Sequence, residues 1–505
     1  MKTLLCLLLL ASLLGNAQPG TDTLQTKFLQ PADMQADFRY LRRLLEETHP
    51  GLYRYTPKVI MQAKLDSLAA TLDRPLPFYD FFRSIAALIA DVRCAHTHAV
   101  PTKEWQKQYL SNWKALPLLM IQIQNRSYVW FNGTNDQTVE PGFEFLSING
   151  QSMAQIRQTL YRYHWDDGYI QTAKDAALRL HLFPAFYYWF IDRPDTYQLT
   201  LRNLRGDTVQ VNVPGQPYAE SAKALVKNPV NKQMLAWYDK KRPKKTWRLS
   251  FLDDVARTAY LRLDSFSGEG ASDAEQAAAR FRGFMDESLA KMAKKQTQHL
   301  ILDVRNNSGG WDIQGVELFT YLMKSDSAVR YYTRLHTVTD SSEFLQFSDL
   351  PAAILKTVKQ QLIPEKDGTF TEKEDDDSRE LRPQFPKPNR FRGQVYILMN
   401  GHSGSTTSEF LAVAHANRVG VLVGEESGGA YEGGNGGSFI NLKLPHSGIE
   451  VTTPLVYYDN AVGEPHQKGR GTMPNHTVSF TLDNLLKNTD DQLDFVKKLI
   501  REQGK

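Results

Sequence analysis

Apolar residues recur along this chain with two different periods, and each change of period marks a change of architecture. Between Met34 and Glu47, Phe38, Leu41, Leu44 and Leu45 fall on one helical face, and His49-Pro50-Gly51 then breaks the pattern. Val59–Leu72 and Phe78–Ala90 repeat the helical spacing, the second through Phe78, Phe81, Phe82, Ile85 and Ile89. The pattern is lost at Cys94-Ala95-His96-Thr97-His98. From Leu116 strand-like runs take over: LPLLMIQI, SYVWFNG and FEFLSING, the last ending in the tight-turn pair Asn149-Gly150. Helical runs fill Ser152–Phe190, and Tyr197–Leu201 with Thr208–Val213 predicts a closing hairpin.

Gln216–Lys245 is polar, rich in lysine and proline, and predicts a linker. An α/β pattern starts at Trp247. Thr258–Leu263 predicts a strand, Ala271–Ala293 a long helix, His299–Val304 an apolar strand and Asp312–Met323 another helix. Ser341–Pro388 is charged, weakly periodic, and expected as a surface excursion. Gly428–Gly437 predicts a glycine-rich turn region, followed by strands at Phe439–Leu444 and Ile449–Pro454 and a final helix after Lys468–Gly471.

The stretch Val395–Gly424 is the most informative. Val395–Met399 is short, apolar and β-branched, as a buried strand requires; small residues turn the chain at Asn400–Ser405, and Phe410, Leu411 and Ala414 then share a helical face. Val419–Val423 closes the unit as a second buried strand. A strand, a sharp turn and a helix can lift a serine hydroxyl clear of a sheet and leave helix N-terminal amides free to meet a developing negative charge. Ser403, Ser405 and Ser408 are the serines available there.

Composition narrows the context. MKTLLCLLLLASLLGNAQ carries an early lysine, an apolar run and small residues ending at Ala17, the pattern of a signal peptide cleaved after Ala17, so an exported protein, periplasmic or secreted, is expected. Nothing later is apolar for long enough to span a bilayer. Loss of the signal removes Cys6 and leaves Cys94 unable to form an intramolecular disulfide. A net charge of +4 over 505 residues gives no nucleic-acid footprint. Lys240–Lys245 and Glu372–Glu380 read as solvated charge clusters. His96-Thr97-His98 spaces two imidazoles, but without a further ligand cluster no metal or other cofactor is expected.

Three motifs in order then become specific: DVRNNSGG after a strand, GSTTSEF opening a helix, and VGVLVGEESGG after the next strand. Together they resemble the C-terminal processing peptidases, or tail-specific proteases, whose relatives include the tricorn core and interphotoreceptor retinoid-binding protein. EPGFEFLSINGQSM resembles the core of PDZ domains, which hold an extended peptide by adding it to a sheet edge. FRYLRRLLEETHPGLYRY resembles the opening of exported Bacteroidetes-type members. The resemblance implies a mixed α/β (α+β) fold, with a ClpP/crotonase-like catalytic domain at 247–505. Ahead of it would come the signal peptide at 1–17, a helical N-terminal region at 18–110, a PDZ-like domain at 111–216 and the linker at 217–246.

Carried onto this chain, the family's nucleophile falls on Ser405 when the motifs are aligned on Gly424-Glu425; alignment from the Glu409 side would move it to Thr406. The lysine base of serine–lysine members would stand at Ala430, and Glu425–Asn441 contains no lysine. The tricorn-like branch instead implies a histidine base, His96, and an orienting glutamate near the C-terminal turn. Lys468 occupies that glutamate's position, which leaves Glu464 as the candidate orienter. Gly309 or Gly310 and the N–H of Thr406 would form the oxyanion hole. The expected function is an exported serine endopeptidase acting on peptide or protein substrates. A catalytically inactive peptide- or ligand-binding protein on the same scaffold and a non-peptide ester hydrolase are the alternatives.

Overall fold

The computed structural model describes residues 24, 26–102, 113–179, 182–240, 245–374, 379–465 and 467–503, so the expected signal peptide lies outside them. Three sheets organise the mixed α/β fold. The first sheet runs in the order Trp247–Phe251, Thr258–Leu263, His299–Asp303, Gln394–Met399, Val421–Gly424 and His476–Thr477, parallel except for its first pair. The middle positions of its central strands, Leu300–Leu302 and Val395–Leu398, are apolar and buried because both faces are covered. Leu300, Leu302, Val395 and Ile397 pack on the side of helices Asp312–Leu322 and Thr406–Ala416, while Ile301, Tyr396 and Leu398 pack against Val496 and Ile500 of the Asp491–Gln503 helix.

An antiparallel sheet in the order Leu118–Ile123, Arg126–Asn132, Glu144–Ile148, Thr196–Arg202 and Thr208–Pro214 lies under helices Met153–Tyr161 and Leu182–Phe190. The helical run expected through Ser152–Phe190 is broken at 162–170, where Tyr163-His164-Trp165-Asp166-Asp167-Gly168 turns the chain between two helices. The segment read as a linker is also different. It folds into helices Tyr218–Lys227 and Lys232–Lys240, because Tyr218, Ala222 and Leu225 form a buried stripe within the polar sequence. Asn231 fastens it by taking the Asn132 N–H at 2.9 Å and donating to Asn132 O at 2.7 Å.

The third sheet, in the order Leu362–Pro364, Phe370–Glu372, Tyr332–Thr337, Glu450–Asn460 and Gly433–Lys443, draws two strands from the expected surface excursion. The glycine-rich stretch read as a turn is itself strand from Gly433, its glycines permitting close approach to the facing strand at Tyr457 and Tyr458. His98–Val100 pairs antiparallel with Thr452–Glu450 and so fixes the end of the N-terminal helical region to this sheet. Among the described residues no helix is long and apolar enough to cross a membrane.

Candidate active site

Parallel strands His299–Asp303 and Gln394–Met399 end side by side, and their two following turns interlock. Asn306 N–H donates to Asn400 Oδ1 and Asn400 Nδ2 donates to Asn306 Oδ1, both at 3.0 Å. Ser403 Oγ donates to Val304 O at 2.9 Å and accepts the Asn400 N–H at 3.1 Å, while Gly404 N–H donates to Asn307 O at 3.1 Å. These bonds deliver the chain to Ser405 in an unusual conformation, φ 50° and ψ −134°, immediately before helix Thr406–Ala416. A non-glycine residue there is strained and persists only because its surroundings fix it.

The turn separates the candidate hydroxyls. Ser403 is buried and holds the turn; Ser408 is buried and its Oγ donates to Ser405 O at 2.7 Å. Thr406 is buried, with Oγ1 donating to Gly310 O at 2.9 Å and Asp312 Oδ1 at 3.0 Å. Only Ser405 among these four is partly accessible.

Gly309 and Gly310 both take positive φ, 98° and 145°. A side chain at Gly309 would come within 2.7 Å of Ser405 Cβ and 3.0 Å of Thr406 N, which sets this turn directly against the serine. The Gly309 N–H, however, is taken by Asn307 Oδ1 at 3.0 Å. Gly309 therefore supplies space rather than a donor. The N–H groups of Gly310 and Thr406 have no hydrogen-bond partner among the described residues.

His96 lies half-buried on the turn before strand His98–Val100, with its ring 5.7 Å from that of Phe439 and its Nδ1 buried without a partner. It stands within electrostatic reach of two carboxylates, the buried Asp167 and the half-buried Asp312. Asp312 is the acceptor for Thr406 and, at 2.7 Å, for Tyr458 OH. Asp312 therefore stands between the charge of His96 and Thr406, the residue after Ser405, and no direct hydrogen bond joins His96 to Ser405 among the described residues. Catalytic hydrogen bonds are often long before substrate binds. Glu464 is not drawn in: it is exposed on the loop after Glu450–Asn460 and makes no hydrogen bond or ion pair among the described residues. Ala430, where a lysine base would stand, is buried and bridged to Gly471.

Three acids on and around the serine helix, Asp312, Glu409 and Asp167, act on one another's charge in a way the sequence motifs do not show. Burial pushes the Asp312 carboxyl up, against the hydrogen bonds donated by Tyr458 and Thr406. Burial and the charge of Asp312 push Glu409 up to about 8, although Tyr332 OH donates to it at 2.6 Å. Burial likewise raises Asp167, opposed by the charge of His96 and the N–H of Ala95. Among the described residues no group of three or more His, Cys, Asp or Glu side chains is arranged to hold a metal ion.

Residues 257–478 match the sequence model of peptidase family S41. Mature CPAF is a similar solved structure: 16% identity, 94% of this chain and 99% of that chain covered, TM-score 0.59. Mature CPAF complexed with lactacystin matches at 15% identity over 94% and 98% of the two chains, TM-score 0.58. The photosystem II D1 C-terminal processing protease aligns at 14% identity over 88% and 93%, TM-score 0.40. At these identities the CPAF likeness speaks for the fold. No curated protein matches the chain.

Proposed function

We propose, from the match of residues 257–478 to the model of peptidase family S41, an exported serine endopeptidase that works through an acyl-enzyme on Ser405. The observation that carries the reading is the serine turn itself. Ser405 is held at φ 50° where strand meets helix, partly accessible, beside two unpaired amides. Backbone strain gathers at functional sites, and here it falls on a serine at the N-cap of helix Thr406–Ala416.

His96 takes the Oγ proton as Oγ attacks the peptide carbonyl, a role suited to an imidazole near neutral pH. The oxyanion is met by the N–H groups of Gly310 and Thr406. As the C–N bond breaks, the leaving amine takes the proton from His96, and water then releases the acyl group by the same steps in reverse order. No lysine participates. The PDZ-like region at 111–216 would hold the extended substrate by its sheet edge.

One observation favours the non-catalytic binding reading: no hydrogen bond joins Ser405 to His96. Labelling the protein lacking residues 1–17 with a fluorophosphonate separates the two. Labelling that is lost in both Ser405→Ala and His96→Ala is expected; a folded wild type that stays unlabelled, also with a peptide ligand present, overturns the enzyme reading.

A further inference from the structure

The break at 162–170 in the expected helical run clamps the turn that carries His96 at three points. The Trp165 ring stacks on His98 with centroids 5.2 Å apart. Asp167 Oδ1 accepts the Ala95 N–H at 2.8 Å. Gly168 N–H donates to Arg93 O at 3.0 Å, and Arg93 Nη1 donates back to Gly168 O at 3.3 Å. The same segment reaches the C-terminal turn, where Tyr169 N–H donates to Gly469 O at 2.7 Å. Gly168 packs on Gly469 so closely that a Cβ would overlap its backbone.

Asp167 sits at the centre of this clamp, 5% exposed. Its second oxygen, Oδ2, makes no hydrogen bond among the described residues and lies along the glycine-rich segment, 3.4 Å and 3.6 Å from where a Cβ would stand on Gly434 and Gly429. That bare backbone leaves room beside the carboxylate where a side chain would fill it. The charged and titratable groups that face Asp167 are His96, Asp166, Arg54, Glu409, Tyr55 and Cys94; those that face His96 are Asp167, Asp312 and His98. A buried carboxylate that fixes the backbone next to a histidine can place its imidazole.

We propose that Asp167, not Glu464, is the acidic positioning residue of His96, holding its turn through Ala95 and setting a negative charge against the imidazolium that forms when Ser405 is deprotonated. This inference rests on the reading of His96 as the base.

Asp167→Asn separates charge from scaffold, since the amide can keep an oxygen for Ala95 N–H. Two measurements on the protein lacking residues 1–17 test it: the pH profile of fluorophosphonate labelling, and the NMR titration of the His96 ring, assigned by comparison with His96→Gln. In Asp167→Asn the acid limb of labelling and the His96 titration both move to lower pH, and the labelling plateau falls about tenfold or more. Glu464→Gln leaves both unchanged. Asp167→Ala behaves like Asp167→Asn in direction and falls further, because the turn is also released. Superposition of the Asp167→Asn curves on wild type, or the same shift in Glu464→Gln, overturns the proposal. A wild type that does not label while its His96 titration still shifts on Asp167→Asn defeats the enzyme reading and leaves the positioning of His96 standing.

Discussion

Asn306 and Asn400 exchange side-chain and backbone hydrogen bonds across the ends of two adjacent parallel strands, at 3.0 Å in each direction. Neither residue touches substrate in the proposed mechanism, yet the pair joins the glycine turn to the serine turn. Asn306 also has φ 61°, a conformation that asparagine tolerates better than alanine. Asn306→Gly therefore loses only the bond, costing about 1–2 kcal/mol, while Asn306→Ala adds backbone strain of about another 1 kcal/mol. Urea unfolding of the two variants should rank them in that order, and labelling of Ser405 should fall in both.

His49 makes a second link of this kind. Its Nδ1 accepts the Gly51 N–H at 2.9 Å, so the ring proton is on Nε2, which donates to Thr97 Oγ1 at 2.7 Å, one residue from His96. Burial drives His49 down to about 3 from 6.5. The folded state keeps the ring neutral where the unfolded chain protonates it, so this stability is present above pH 6.5 and is lost as pH falls towards 3. Between pH 7 and pH 5 the loss is about 2 kcal/mol. In His49→Gln that component of the pH dependence disappears, as urea unfolding at the two pH values would show; equal slopes in both proteins would refute it.

Glu409 has the opposite sign. Burial raises its folded value from 4.5 to about 8, so the folded state retains a proton that the unfolded chain releases. Its burial costs little below pH 4.5, and the cost grows as pH rises to about 8. Glu409→Gln keeps an oxygen for Tyr332 OH and removes the titration. The variant should match wild type in melting temperature near pH 4.5 and exceed it by a margin worth a few kcal/mol at pH 9. Melting curves that stay parallel from pH 5 to pH 9 would rule this out.

Much of this arrangement could be read from sequence where period and punctuation agreed. The strand at Gln394–Met399, the helix after it and the helix Phe78–Ala90 follow from apolar spacing, because burial on one stripe or on both faces leaves that record. The conformation of Ser405 left no such record, since its strain is imposed by Asn306, Asn400 and Val304 from across the fold. Asp167 was hidden for a related reason. Tyr163-His164-Trp165-Asp166-Asp167-Gly168 offers a polar, glycine-ended break, but flanking helices at Met153–Tyr161 and Gln171–Ala177 made the stretch look continuous. Polar-linker composition at 217–246 misled in the other direction, because one narrow apolar stripe is enough to dock a helix. Glu464 shows the limit of proximity in sequence: the residue nearest the expected position is exposed, and the acid that faces His96 comes from another segment.

Gly309 and Gly283 make a paired test of what the glycine turn is for. Gly283 lies within helix Ala274–Lys294 with nothing within 4 Å of an added Cβ. Gly283→Ala should gain about 0.5–1 kcal/mol, since glycine loses more chain entropy in a helix than alanine does. At Gly309 an added methyl would lie 2.7 Å from Ser405 Cβ and 3.0 Å from both Gly404 O and Thr406 N, on a backbone with φ 98°. Gly309→Ala must therefore push the serine turn away from its present position or unfold its own. We expect a folded protein of lower melting temperature in which labelling of Ser405 falls about a hundredfold, the scale on which loss of an oxyanion donor is felt. The double variant Gly283→Ala/Gly309→Ala distinguishes the two causes. An added Cβ at Gly283 meets none of the atoms that one at Gly309 meets, so the helix substitution should restore stability by its own increment. Labelling stays low if geometry at Ser405 is what was lost, and recovers if the defect was stability alone.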